Sequence, residues 1–197
     1  MKRPANIALL CGAAAVILSC IIMLNLLKND TTMEILTGTY GGKIYRYSFD
    51  TESLEFTLLE KVGAENASYA IKDAGNIYAV SETGNASGSY SFSIGSPTVM
   101  TADKRQTGAD PCFIMKYDDK ILTADYSGGS ISIFPISGGA FGDCLQSLEF
   151  HGNGPVEGRQ ESSHIHQLKT IPLTDWILAS DLGADKIRVL RFENGTL

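Results

Sequence analysis

The chain has 197 residues, 44% of them hydrophobic and 19% charged, with a net charge of -6. That length holds one ordinary domain, and the composition is globular rather than disordered. A mildly acidic chain without a basic block argues against nucleic acid as a main partner.

The N-terminus comes first and differs from the rest. Lys2 and Arg3 precede ANIALLCGAAAVILSCIIMLNLL, a charge-free run from Ala5 to Leu27. At about 1.5 Å rise per residue, ~23 residues reach across a ~30 Å hydrocarbon core. Positive charge before the run favours keeping that end in the cytoplasm and the remainder outside. Residues 1–30 are therefore read as a signal or membrane-anchor segment, and 31–197 as the body. An uncleaved anchor fits the length best, because a cleaved signal has a shorter apolar core. A lipoprotein signal would use Ile17-Leu18-Ser19-Cys20, in which Leu18 fits poorly. A buried soluble helix is the remaining alternative. The chain is expected to be exported, either anchored at the inner membrane through this segment or periplasmic, rather than cytoplasmic.

From Met33 onward no segment repeats apolar residues with helical spacing. Short runs rich in Ile, Val, Tyr, Phe and Thr alternate with clusters of Gly, Asp, Asn and Ser, which predicts strands and turns. The predicted strands are 34–40, 43–49, 56–62, 77–81, 89–94, 113–117, 121–124, 130–136, 145–150, 176–180 and 186–192. A repeat runs through them. TGTYGGKIYRYSF begins at Thr37, VSETGNASGSYSFSI at Val80, TADYSGGSISIFPI at Thr123 and ASDLGADKIRVLRF at Ala179. The first three are about 43 residues apart, the length of a propeller blade, and the last gap is about 56. A four-stranded blade buries its faces only against neighbouring blades. The fold class is thus all-β, a β-propeller. A β-sandwich of short strands also gives regular turns, but the repeated strand–turn–strand unit favours the propeller.

The extra length lies between the third and fourth copies and contains HGNGPVEGRQESSHIH, which begins at His151. All three histidines of the chain, His151, His164 and His166, fall there with Arg159 and Glu161. His164 and His166, one residue apart, would share a face on a strand. Such a set suits attack of water on a carbonyl. Imidazole takes a proton from water, a carboxylate orients the imidazole, and a guanidinium holds an anion or a developing oxyanion. His-x-His with Glu161 also has a spacing that permits a metal, without being diagnostic of one; no metal is assigned. Asp125 and Asp181 occupy matching places in two repeats. They are read as turn caps or as substrate-binding groups alongside His151, and Glu82 is equally ambiguous. Cys112 and Cys144 are the cysteines of the body, expected as unpaired buried thiols.

These residues resemble a known family. LTGTYGGKIYRYSFDTESLEFTLLEKV is similar to the first blade of the seven-bladed propeller 6-phosphogluconolactonases. ADPCFIMKYDDKILTADYSGGSISIFPI is similar to their middle blades, and GNGPVEGRQESSHIHQ with DLGADKIRVLRF to their most distinctive region. The resemblance covers nearly all of 33–197. It implies hydrolysis of a small sugar lactone, 6-phospho-D-glucono-1,5-lactone, to 6-phosphogluconate in the pentose phosphate route, with no obligatory cofactor. By position, Arg159, Glu161, His164 and His166 match the family's polar residues around the channel mouth. The family has a proline where Ser162-Ser163 stand here, and often Asn where Asp125 stands. A non-catalytic, membrane-tethered propeller that binds a sugar or a protein is the alternative. Seven blades need roughly 315 residues, so this chain holds the first three to four. It is read as the N-terminal part of a longer protein, or as a fragmentary gene model.

Overall fold

The computed structural model describes residues 31–105 and 108–197. The expected signal or anchor, residues 1–30, lies outside them. The described residues are all-β, in four sheets built in sequence order. The first holds β1 (Thr32–Thr37), β2 (Lys43–Asp50) and β3 (Phe56–Gly63). The second holds β4 (Ala70–Asp73), β5 (Asn76–Ser81), β6 (Gly88–Ser93) and β7 (Val99–Arg105). The third holds β8 (Pro111–Tyr117), β9 (Lys120–Asp125), β10 (Ser130–Ser137), the short β11 (Ala140–Phe141) and β12 (Gln146–Glu149). The fourth holds β13 (Ile165–Thr170), β14 (Trp176–Asp181) and β15 (Lys186–Arg191). The repeat aligns β1 with β9, so the first sheet carries the second, third and fourth strands of the unit. The fourth sheet carries the first, second and third.

Two compact units are distinguished among the described residues, the smaller holding 31–34 with Ser48–Thr57 and the larger Ile35–Tyr47 with the described part of Leu58–Leu197. In the described part of the smaller one, Asp50 closes the β2–β3 turn. Its carboxylate accepts the N–H groups of Glu52 at 2.8 Å and Ser53 at 2.9 Å. Phe49 and Phe56 pack with ring centroids 4.6 Å apart. Everything that follows lies in the larger unit.

Period-two alternation explains how the sheets stack there. On β5, Ile77 and Ala79 face the first sheet in a cluster with Ile44, Val62 and Phe92. Their neighbours Tyr78 and Val80 face the third sheet, with Ile114, Ile121, Phe134 and Phe141. On β9, Ile121 joins that cluster, whereas Leu122 and Ala124 turn to the fourth sheet and meet Ile165, Leu168, Ile177 and Ala179. Central strands buried on both faces read as continuous apolar runs, which is why IYAV and ILTA stand out in the sequence. Each fully buried Leu or Ile contributes about 1.5–3 kcal/mol, so the stacking of repeats supplies most of the hydrophobic stabilisation.

The eleven predicted strands are all present, within three residues at either end. The sequence reading missed β4, β7, β11 and β13. The reasons are physical. β4 is four residues long, β7 ends in Asp-Lys-Arg, and β11 has two residues. On β13 the pairing shifts between Ile165 and Gln167. That bulge puts the buried Ile165 and Leu168 three residues apart instead of two.

Candidate active site

The long connection from Glu149 to Ile165 is the lengthened one predicted from the repeat. It is held by Gln160. The Gln160 side chain accepts the Val156 N–H at 3.0 Å and donates to the Leu182 carbonyl at 2.6 Å. Its backbone N–H reaches the Val156 carbonyl and its carbonyl takes the Gly154 N–H, both at 2.9 Å. The loop thus closes on itself and on the turn after β14. The fit is tightest at Gly183, where any Cβ would collide with the Ser162 carbonyl and the His164 ring. Only glycine allows this approach.

Asp181 organises the end of the loop. It is buried and accepts from the Ser163 hydroxyl, from the N–H groups of His164 and Ala184 at 2.9 Å each, and from Arg188 Nε at 3.1 Å and Nη2 at 2.7 Å. Burial alone would push this carboxyl up. The hydrogen bonds from Ser163, Ala184, Arg188 and His164 outweigh it and hold Asp181 below the ordinary carboxylate range. Arg188 also donates to the His151 carbonyl at 3.0 Å and lies over the Phe150 ring. Asp125, in the equivalent place of the third sheet, is equally buried. It accepts from Thr123 at 2.9 Å, Ser130 at 3.0 Å and Ser132 at 2.6 Å. Both aspartates direct their oxygens into the protein and fix local structure.

The two neighbouring histidines meet one tyrosine. His164 stacks flat on Tyr126, with centroids 4.4 Å apart and planes 3° from parallel, while His166 meets the same ring edge-on at 5.7 Å. His164 Nδ1 lies 2.9 Å from the Tyr126 carbonyl. A carbonyl only accepts, so Nδ1 carries the proton and Nε2 of the neutral ring keeps its lone pair.

Arg159 and His166 line one hollow of about 440 Å³ with Tyr40, Ser68, Glu82, Cys112 and Tyr126. Arg159 is exposed, and its guanidinium has no protein partner among the described residues. Glu161 and His151 line a different hollow, of about 340 Å³, with Ser127, Phe150 and Ser163. The Glu161 carboxylate accepts the Gly158 N–H inside the loop. Hence the carboxylate–imidazole relay drawn from the sequence is replaced by a carbonyl–imidazole contact from Tyr126. Among the described residues no three His, Cys, Asp or Glu side chains converge as metal ligands, so His164, His166 and Glu161 do not form the permitted metal set.

Three residues of the hollow escaped the sequence reading: Tyr40, Ser68 and Tyr126. The repeat held the signal. Tyr40, Glu82, Tyr126 and Leu182 all follow the same strand of the unit, at intervals of 42, 44 and 56 residues. Tyr40 donates to Glu82 Oε2 at 2.7 Å. That hydrogen bond, then burial and the Glu82 charge, raise the Tyr40 phenol above its ordinary value, so it stays a donor at neutral pH. Cys112 and Cys144 are free thiols, as expected, but half-buried rather than buried. The Cys112 thiol points at the His166 carbonyl, 3.4 Å away. Burial, then the charge of Glu82, pushes it up to about 12. A thiol so protonated is no nucleophile. Its thiolate fraction at pH 8 is on the order of a thousandfold below that of an ordinary cysteine. Alkylation of Cys112 by iodoacetamide in the native protein is expected to be slower by a similar factor. Labelling at the free-cysteine rate, followed by peptide mass spectrometry, would contradict this environment.

A family model described as "Lactonase, 7-bladed beta-propeller" matches residues 34–197. A Bacillus subtilis 6-phosphogluconolactonase is 29% identical over 175 residues, 81% of this chain and 49% of the relative. A Bacteroides fragilis structure, solved as a candidate 6-phosphogluconolactonase, is 32% identical with a TM-score of 0.80, over 84% of this chain and 50% of its own. A Pseudomonas aeruginosa structure named as a periplasmic gluconolactonase, 24% identical with a TM-score of 0.73 over 82% of this chain and 50% of its own, shares the fold. The chain spans about half the length of these relatives.

Proposed function

The chain belongs to the seven-bladed β-propeller lactonase family, and from that premise we propose that it contributes part of the active site of a sugar-lactone hydrolase. One observation carries the proposal. Arg159, from the lengthened loop, and His166, from β13, share a hollow with Tyr40, Glu82 and Tyr126. The charged or proton-carrying groups come from all four sheets and the long loop, an assembly that packing alone does not require.

In this reading His166 takes a proton from water as its oxygen attacks the lactone carbonyl carbon. The Arg159 guanidinium stabilises the carbonyl oxygen as it gains charge. The ring C–O bond then breaks, the departing oxygen receives a proton, and an open-chain hydroxy acid results. His164 is a positioning residue. It holds Tyr126 by stacking and by its Nδ1–H, and Tyr126 in turn meets His166.

The finer proposal is that the substrate is 6-phospho-D-glucono-1,5-lactone, giving 6-phosphogluconate for the pentose phosphate route. The names of the Bacillus subtilis and Bacteroides fragilis relatives support it. The test is loss of this lactone above its spontaneous rate, followed with the full-length protein. Turnover on the phosphorylated lactone is expected. Turnover confined to an unphosphorylated lactone would overturn the finer reading, and turnover on neither would overturn both.

A further inference from the structure

We propose that Glu82, with Tyr40 and Ser68, forms a subsite that reads the hydroxyl groups of a polyhydroxylated lactone, away from the reacting carbonyl. The inference rests on the lactonase reading for its substrate, but its geometry stands separately.

The Glu82 carboxylate lines the hollow. It accepts the Tyr40 phenol at 2.7 Å on Oε2 and the Ser68 hydroxyl on Oε1. A carboxylate offers about four lone-pair directions, so each oxygen keeps capacity for another donor. No Lys or Arg pairs with Glu82 among the described residues. The phenol and hydroxyl that hold it each retain acceptor capacity of their own. The backbone is clamped as well. The Glu82 N–H donates to the Asn66 carbonyl at 3.1 Å, and Asn66 Nδ2 donates to the Glu82 carbonyl at 2.9 Å. Asn66 takes the left-handed conformation (φ 46°), which Asn visits more readily than most residues. Holding the carboxylate before a ligand arrives lowers the ordering cost of binding.

A preformed carboxylate flanked by two hydroxyl groups suits a ligand edge that donates through neutral O–H groups and accepts in return. It repels a phosphate. Neighbouring sugar hydroxyls fit this chemistry, and an unsubstituted alkyl lactone does not. The hollow is therefore divided: Arg159 and His166 serve the carbonyl, and Glu82, Tyr40 and Ser68 serve the polyol.

The test uses the full-length protein and its Glu82→Gln and Tyr40→Phe variants, with folding checked by circular dichroism. Two quantities are read. One is the ratio of kcat/KM for D-glucono-1,5-lactone over δ-valerolactone. The other is the affinity for D-glucono-1,5-lactam, which resists hydrolysis, by calorimetry. A hydrogen bond to a charged acceptor corresponds to about a 10–100-fold effect. Glu82→Gln is expected to lower both the ratio and the lactam affinity by about tenfold or more. Tyr40→Phe should act in the same direction but less; as Tyr40 is exposed, this variant carries the test if Glu82→Gln fails to fold. Unchanged ratio and affinity overturn the proposal, as does failure of the parent protein to bind the lactam. An equal loss on both lactones with lactam affinity intact also overturns it, because Glu82 would then act on the reacting atoms. Glu82-dependent lactam binding without turnover of any lactone would leave the subsite standing and remove the hydrolase.

Discussion

Replacing Asp181 with alanine is expected to destabilise the protein by about 3–5 kcal/mol, the range for removing one partner of a buried ion pair. Its carboxylate has no exposed side-chain surface and faces Arg188 at 2.7 Å. The substitution strands two backbone N–H groups, those of His164 and Ala184, together with the Ser163 hydroxyl. Urea unfolding at neutral pH would measure the loss, and a change below about 1 kcal/mol would show that other groups or water replace the carboxylate. Asp181→Asn separates charge from shape and should cost less. It should also alter the acid limb of stability. A carboxyl whose folded pKa is depressed adds stability that is complete above its unfolded value of about 4 and lost as pH falls through the lower folded value. The parent protein should therefore lose stability below about pH 4 more steeply than Asp181→Asn. Equal slopes would mean that Asp181 is not held ionised.

Arg159→Ala is expected to lower kcat/KM by about 10²–10³-fold, the effect of removing one donor to a developing oxyanion. Stability should change little, because Arg159 is exposed on a loop fixed by Gln160, with no protein partner of its own among the described residues. The choice of substrate separates two roles. If Arg159 serves the carbonyl oxygen, phosphorylated and unphosphorylated gluconolactones lose rate alike. A loss confined to the phosphorylated lactone would reassign the guanidinium to the phosphate. An unaltered rate on both would remove Arg159 from the chemistry. Arg159→Lys keeps the charge but not the planar fork, and should recover only part of the loss.

Arg159 takes a role that its spacing along the chain does not imply. Arg159 and Glu161 are two positions apart, yet one enters the hollow with His166 and the other turns back to the Gly158 N–H. A closed loop has no period, so parity along the chain carries no direction there. His164 and His166 do meet a common ring, as an extended segment requires, although β13 begins only at Ile165 and is bulged at once. Asp125 and Asp181 look alike in the sequence and behave alike in the structure, because equivalent places in stacked repeats meet equivalent surroundings.

The sequence by itself determined the strand runs, the repeat of about 43 residues and hence the propeller class, and the place where the repeat is lengthened. Those features follow from local rules: period-two alternation, turn chemistry and the need of each sheet to bury two faces. Tertiary structure alone decided which polar residues share a hollow. Tyr40 and Glu82, 42 residues apart, touch because stacked sheets bring the same position of successive repeats side by side. It also decided that His164 is held by the Tyr126 carbonyl rather than by Glu161. Hydrogen bonding is satisfied by whatever donor or acceptor packing brings within about 3 Å, and that proximity is a property of the folded chain.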